Sequence, residues 1–140
     1  MKKNERIEKV LTRDVVTAHV GQKLSDVRKL LATSGFHHMP VVSGQKLIGL
    51  ISASDILGIS VEGLGSDERS MDAYLDHQFS IEGLMKTDLR TLPIKSSIAD
   101  AAVMLSEGSI HAVPVVDGEG DLVGLVTSTD LIRFLRDLLE

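Results

Sequence analysis

The sequence predicts an α/β fold built from two copies of a β-α-β-β-α unit, related by a pseudo-twofold axis and each holding a small three-stranded sheet with flanking helices. The first supporting observation is an internal repeat, since the segment 40–55 recurs at 114–130 with one extra residue in its turn. The second is periodicity, because short β-branched runs alternate with stretches whose apolar residues have helical spacing. Each copy alone would expose an apolar sheet face, and pairing two copies buries it.

Composition narrows the class of protein. Of the 140 residues, 43% are hydrophobic and 3% aromatic, so we expect an aliphatic core in one compact domain or two small ones. The net charge of −5 argues against binding to a nucleic-acid backbone, which requires a basic face. The absence of cysteine excludes disulfides and thiolate chemistry, and no apolar segment approaches the ~20 residues of a membrane span. We therefore expect a cytoplasmic protein that binds neither nucleic acid nor membranes.

The first repeat is predicted to span residues 8–59. Its amphipathic helix should end near Gly35, and the segment around Gly44 has the composition of a hairpin turn. The predicted elements, in order, are a short helix over 5–11, a brief strand over 15–17, a helix over 24–34, strands over 39–42 and 47–52, and a helix that begins at Ala53.

Residues 60–78 differ in kind, because they combine glycines with five acidic side chains. Apolar residues at positions 71, 74 and 75 fit one weak helical face. We predict an acidic linker with one short helix. Its Asp72, Asp76 and His77 also allow a divalent-metal site, although such residues on an acidic segment are more often solvated surface.

The pattern restarts over residues 79–140, the predicted second repeat. Ser97 and Asp100 have the spacing of a capping box, which marks the start of a helix. The prolines of the two repeats lie 74 positions apart, and Asp55 and Asp130, after the hairpins, lie 75 apart. The predicted elements, in order, are a short helix over 81–85, a brief strand over 89–92, a helix over 97–107, strands over 112–116 and 122–126, and a final helix over 128–138.

Both repeats carry a Pro-Val-Val strand followed by a turn of the form Gly-Leu-x-Ser/Thr-x-x-Asp, at 49–55 and 124–130. With these motifs in register, the chain from about Val10 to Leu135 resembles a tandem pair of CBS (cystathionine β-synthase) domains, a Bateman module. The resemblance omits 60–78 and implies one cleft on either side of the pseudo-twofold axis. Since no appended enzyme, channel or transporter domain is evident, we expect a stand-alone module.

The resemblance implies that Asp55 and Asp130 accept hydrogen bonds from the ribose hydroxyls of an adenosine nucleotide. A carboxylate suits this role because it can accept from both vicinal hydroxyls. The nearby hydroxyl side chains would face ribose or phosphate at the positive end of the following helix. The alternative is that these residues only cap that helix. The hydroxyl residues are Ser52, Ser54, Thr127 and Thr129.

The resemblance also places basic residues, three and two positions before the strand proline, on the ligand phosphate. These positions hold His37 and His38 in the first repeat, and His111 and Ala112 in the second. An imidazole can donate to a phosphate, whose charge favours the protonated form. The alternative is that one of the adjacent pair is buried and satisfied within the fold. The pocket that includes His38 should suit an anion better.

The same resemblance implies that each cleft combines the first strand and pre-proline segment of one repeat with the aspartate turn of the other. The adenine wall facing Asp130 would comprise Val15, Val16, Phe36 and Pro40, and the wall facing Asp55 would comprise Leu89, Arg90, Ile110 and Pro114. Neither turn has an Arg or Lys between its hydroxyl and its carboxylate. This favours a monophosphate or another adenosine derivative over ATP.

We therefore expect a regulatory sensor, not an enzyme, that binds AMP or another adenosine derivative, has no resident cofactor and signals to an unknown effector by changing shape. The apolar surface of the helices, which includes Leu131, Leu135 and Leu138 of the final helix, predicts an antiparallel homodimer together with the resemblance. The alternatives are a ligand-free structural or dimerisation module, a binder of ATP or S-adenosylmethionine-type ligands, and a small hydrolase or metal-dependent enzyme that uses the linker around Asp72. No Walker-type loop, HExxH or GxGxxG motif supports an enzyme.

Overall fold

The computed structural model describes residues 4–61 and 65–140, so Glu62 and Gly63 of the predicted linker lie outside the described residues. The chain forms two compact units, one of Val16–Leu89 and the other of residues 4–15 with Arg90–Glu140. These units are not the sequence repeats, because residues 4–15 pack with the sheet of the second repeat. Among the helices that the structure describes, none is long and apolar enough to cross a membrane.

The Val16–Leu89 unit holds a three-stranded sheet in the order β1-β2-β3. Its first strand is parallel to the second, and the second and third form an antiparallel hairpin. Helices follow both the first strand and the hairpin. The elements are β1 Ala18–His19, α1 Leu24–Ser34, β2 His38–Ser43, β3 Lys46–Ser52, α2 Ala53–Ser60, α3 Glu68–Gln78 and α4 Ile81–Leu84.

The second unit repeats this arrangement with a sheet in the order β4-β5-β6. Its first two strands are again parallel and its last two antiparallel. The elements are a 3-10 turn at Ile7–Lys9, then β4 Leu92–Pro93, α5 Ile98–Ser106, β5 Ala112–Val116, β6 Leu122–Thr127 and α6 Ser128–Leu139. The predicted α/β class, with two three-stranded sheets and flanking helices, is confirmed.

Each unit has its own aliphatic core between sheet and helices. In both, consecutive residues of the central strand are buried, so that strand is buried on its two faces. Burial of each large aliphatic side chain contributes about 1.5–3 kcal/mol. The buried core residues are Ala18, Leu24, Val27, Leu31, Met39, Val41, Ile51, Ile56, Met71, Leu75 and Ile81 in one unit, and Ile7, Leu92, Ala101, Leu105, Val113, Val115 and Val126 in the other.

The helix predicted over 5–11 is wrong, because only Ile7–Lys9 forms a 3-10 turn. The backbone around it is used for long-range bonds instead. The N–H of Ile7 donates to the carbonyl of Ser96 at 3.0 Å, and the N–H of Ile98 donates to the carbonyl of Glu5 at 2.8 Å. A backbone group that pairs with a distant segment cannot also serve a helical ladder.

The first strand of each repeat lies further along the chain than predicted. The expected strand over 15–17 is instead Ala18–His19, and the expected strand over 89–92 is instead Leu92–Pro93. The parallel partners fix these positions, since Ala18 pairs with Val41 and Leu92 with Val115. Two-residue strands carry too little local pattern for sequence periodicity to locate them.

The predicted linker helix exists as α3, and it belongs to the core of its unit. Its apolar residues Met71 and Leu75 are buried, with exposed fractions of 5% and 0%. Its acidic side chains bind the neighbouring helix α1. Asp76 accepts hydrogen bonds from the backbone N–H and the hydroxyl of Ser25, at 2.9 and 2.7 Å. Asp76 therefore caps the N-terminus of a helix to which it does not belong.

Candidate ligand-binding turns

The Asp55 turn joins the end of β3 to the start of α2. The backbone N–H of Ser52 donates to Asp55 Oδ2 at 2.9 Å, and the N–H of Asp55 donates to Ser52 Oγ at 3.1 Å. This reciprocal pair is a capping box, which satisfies two backbone donors that the helix itself leaves free. No other hydrogen bond reaches the Asp55 side chain from the residues that the structure describes, so Oδ1 keeps its full accepting capacity.

The Asp130 turn repeats this geometry between β6 and α6. The N–H of Thr127 donates to Asp130 Oδ2 at 2.9 Å, and the N–H of Asp130 donates to Thr127 Oγ1 at 3.1 Å. It adds one contact that the other turn lacks. The hydroxyl of Thr12 lies 3.4 Å from both carboxylate oxygens of Asp130, close enough for a long, shared hydrogen bond.

Helix capping is thus an observed role of Ser52 and Thr127, which leaves their O–H groups available as donors. Ser54 and Thr129 lie in the first turns of α2 and α6, and both are exposed. A third capping box, between Ser97 and Asp100, has the same two distances of 2.9 and 3.1 Å. The box by itself therefore does not mark a ligand site, and Asp100 provides an internal control for one.

Each pre-proline histidine lies beside the turn of its own unit. The carbonyl of His37 accepts from the N–H of Ala53 at 2.8 Å, and the carbonyl of His111 accepts from the N–H of Ser128 at 3.0 Å. The side chains of His37 and His111 are exposed, whereas His38, which pairs with Ser52 across the hairpin, is half-buried. These bonds therefore hold the backbone of each histidine at the start of the following helix.

The residues predicted to contact adenine divide between the units and differ in exposure. Four lie in the Val16–Leu89 unit and four in the other. Arg90 is exposed, and its guanidinium binds Glu107 with 2.7 Å between Nη1 and Oε2. That ion pair raises the pKa of Arg90 and lowers the pKa of Glu107. Val16, Phe36 and Leu89 are half-buried and Pro40 is buried in the first unit, while Val15 and Ile110 are half-buried and Pro114 is buried in the second.

The carboxylates considered for a metal site have other partners. Asp76 caps α1, and Asp72 lies 3.4 Å from Arg28 Nη1 and 3.2 Å from Lys29 Nζ. The Asp72 carboxylate raises the pKa of Lys29. No group of three or more His, Asp or Glu side chains within 4–61 and 65–140 is arranged to hold a metal ion.

Sequence reasoning missed two residues beside the turns, Thr12 and Lys86. The backbone of Thr12 exchanges two hydrogen bonds with Leu125, at 2.9 and 3.0 Å. Lys86 exchanges two with Leu50, at 3.0 and 2.9 Å. The signal that could have found them is the offset between repeats, since the two residues lie 74 positions apart.

Comparison with known proteins gives this geometry a family context. Uncharacterized protein MJ1225 of Methanocaldococcus jannaschii is 31% identical over 136 residues, which cover 94% of this chain and 47% of that protein. Its crystal structure, described as that of a proposed archaeal homolog of g-AMPK, matches with a TM-score of 0.80 and 29% identity over 96% of this chain and 49% of that chain. Inosine-5'-monophosphate dehydrogenase of Thermoplasma acidophilum is 29% identical over 132 residues, which cover 94% of this chain and 24% of the enzyme.

A solved structure of similar length also matches. The CBS domain pair of protein MJ0100, in complex with 5'-methylthioadenosine and S-adenosyl-L-methionine, has a TM-score of 0.76 at 26% identity over 93% of this chain and 98% of that chain. The present chain spans less than half the length of the two curated relatives. The family model for the CBS domain matches residues 7–62 and 81–137. The chain therefore belongs to the CBS domain family, of which it holds two domains in tandem.

Proposed function

We propose that this chain is a regulatory module that binds an adenosine-containing ligand, most favourably AMP, and has no catalytic activity of its own. The observation that carries the proposal is the pair of matched aspartate turns. In each, the backbone N–H of Ser52 or Thr127 holds one carboxylate oxygen at 2.9 Å and leaves accepting capacity on the side chain. A fixed acceptor of this kind suits two adjacent hydroxyls, because each oxygen of a carboxylate can accept more than one bond.

The turns also suit a phosphate of low charge. Exposed hydroxyls of Ser54 and Thr129 lie in the first helical turns, where backbone N–H groups and the helix dipole favour an anion. His37 and His111 are held beside these turns by their carbonyl bonds. Neither turn contains the several cations that a triphosphate would need, so AMP fits better than ATP.

The comparisons support the ligand class. The MJ0100 pair was solved with two ligands that share an adenosine group, although neither carries a phosphate. We therefore keep S-adenosylmethionine-type compounds as the second ligand class. We also propose that adenine contacts the apolar residues that precede the strand prolines. The cytoplasmic location is a further part of this proposal.

Signalling needs a partner, and helix α6 offers an apolar surface for one. Four of its residues are exposed, namely Ile132 at 65%, Leu135 at 44%, Leu138 at 50% and Leu139 at 78%. We propose that this face forms a homodimer and that ligand binding changes its geometry toward an effector protein. A ligand can shift such an equilibrium only by its difference in affinity for the two states.

Thermal unfolding in the presence of AMP, ADP, ATP and S-adenosylmethionine tests the proposal, after bound nucleotide has been removed by unfolding and refolding. Ligand at 100 times its Kd stabilises the folded state by about 2.7 kcal/mol, which raises the Tm by several degrees. We expect the largest shift with AMP. The same Tm with and without every adenosine ligand would contradict the proposal and favour a ligand-free dimerisation module.

A further inference from the structure

Thr12 and Lys86 occupy equivalent places in the two units. Each exchanges a pair of backbone hydrogen bonds with the leucine of the Gly-Leu-x-Ser/Thr segment in its own unit, Thr12 with Leu125 and Lys86 with Leu50. In both units the glycine before that leucine lets the chain around Thr12 or Lys86 lie close against the strand. A Cβ on Gly124 would strike the carbonyl oxygen of Thr12, and a Cβ on Gly49 would lie 2.5 Å from the sulfur of Met85. The two side chains therefore leave the backbone at matched positions.

At one of these positions the side chain reaches the aspartate. The hydroxyl of Thr12 lies 3.4 Å from both oxygens of Asp130. The matched residue in the other unit is Lys86, whose backbone bonds to Leu50 start its side chain from the equivalent place, and that side chain ends in an ammonium group. Lys86 is exposed, and it makes no ion pair with any residue in the described part of the chain. Its flexible four-carbon stem lets that charge adjust its position.

The other charged groups of the two segments that carry Thr12 and Lys86 do not cancel this difference, although on the helices themselves Arg133 follows Asp130 by three positions and has Gly58 as its counterpart. His37 and His111 stand at matched positions, and so do Asp14 and Asp88. Arg13 is the cation nearest in sequence to Thr12. Its guanidinium lies 3.6 Å from Glu8 Oε2, and neighbours in an extended segment point to opposite sides. The Asp55 turn thus has a mobile cation where the Asp130 turn has a neutral hydroxyl.

We propose that Lys86 makes the Asp55 turn selective for a phosphorylated adenosine ligand, and that Thr12 leaves the Asp130 turn without that preference. The inference rests on the proposed function and specifies its ligand at each turn. A phosphate beside Asp55 gains a charge-assisted hydrogen bond from the ammonium, which also offsets repulsion by the carboxylate. Beside Asp130 the same phosphate meets the carboxylate charge without an ammonium at the matched position, so its advantage over an uncharged adenosyl compound is smaller there.

The test compares AMP with adenosine, which differ only in the phosphate, by isothermal titration calorimetry at low salt. Asp130→Asn leaves the Asp55 turn to be measured alone, and Asp55→Asn leaves the Asp130 turn. At the Asp55 turn we expect AMP to bind at least about tenfold more tightly than adenosine. Lys86→Thr should reduce that ratio to below about threefold while the adenosine affinity stays nearly constant, and Lys86→Arg should retain most of the ratio.

The matched exchange is Thr12→Lys, which we expect to create a preference for AMP at the Asp130 turn. The urea midpoint of Lys86→Thr should equal that of the wild type, because its exposed side chain makes no ion pair there. An unchanged ratio in Lys86→Thr, or an equal loss of affinity for both ligands, would overturn this proposal, while the proposed function would stand as long as the wild type binds both compounds. If the wild type bound neither compound, the proposed function itself would be wrong.

Discussion

Gly124 should be among the least tolerant positions of β6, because it is buried and its missing side chain leaves room for the backbone of residues 4–15. A Cβ built on Gly124 strikes the Thr12 carbonyl oxygen and lies 2.9 Å from Leu11 Cδ1. Since the obstacle is backbone, Gly124→Ala must push the segment away. That loses the two Thr12–Leu125 hydrogen bonds, worth about 1–3 kcal/mol together. It also weakens the burial of Ile7, which is 0% exposed and worth about 1.5–3 kcal/mol.

We therefore expect Gly124→Ala to lower the free energy of unfolding by about 2–5 kcal/mol, after a small gain from the stiffer unfolded chain. Urea titration followed by far-UV circular dichroism measures this loss. Partial detachment would also open the bonds after Lys9 and Arg13 to trypsin. The matched control is Gly49→Ala, whose new methyl group meets only the flexible side chain of Met85, with Cγ at 2.8 Å.

Met85 can move aside, so the Gly49→Ala cost should stay near 1 kcal/mol. The reasoning would be refuted if Gly124→Ala changed the unfolding free energy by less than about 0.5 kcal/mol, the range of neutral surface substitutions. It would also be refuted if Gly49→Ala were the more damaging of the two changes.

Three further predictions concern helix α3. Asp76→Asn should lower the free energy of unfolding, measured by urea titration, by about 1–2 kcal/mol, because the single oxygen of an amide cannot replace both carboxylate oxygens that accept from Ser25. Asp72→Asn, which removes only partly exposed ion pairs, should lower it by under about 1 kcal/mol. Leu75→Ala should cost about 2–5 kcal/mol, since this side chain is 0% exposed, and a smaller loss would mean that α3 is not part of the core. The pKa of Asp67 is lowered from 3.8 by the backbone N–H that it caps. The stabilisation of the folded state by the ionised Asp67 is therefore complete above about pH 5 and is lost as the pH falls through the lowered pKa. In that acidic range, the urea midpoint of Asp67→Asn should depend less on pH than that of the wild type.

Local chemistry was enough to predict the hairpins and the helices that follow them. Gly35 has a φ of 76° at the end of α1, as expected for a glycine that terminates a helix. The capping box between Ser97 and Asp100 formed as predicted. These features depend on residues within four positions of one another, which is the range that sequence patterns describe.

Long-range pairing decided what the sequence patterns missed. The segment around Ile7 has helical spacing, but Ser96 and Ile98 supply its hydrogen bonds instead. The same holds for the candidate site. Asp55 and Asp130 were predicted from their motif, whereas Thr12 lies 118 positions from Asp130 and reaches it only through the bridge to Leu125.

Calorimetric titration of AMP into three aspartate variants tests the central claim most directly. Asp55→Asn and Asp130→Asn retain an oxygen that can accept the capping N–H but remove the charge. Asp100→Asn makes the same change in a capping box of identical geometry outside the proposed sites. We predict saturable binding by the wild type and Asp100→Asn, with about tenfold or greater weakening in at least one of the other two. Equal affinity in all four proteins would show that these aspartates only cap their helices, and the account of a ligand-binding turn would be wrong.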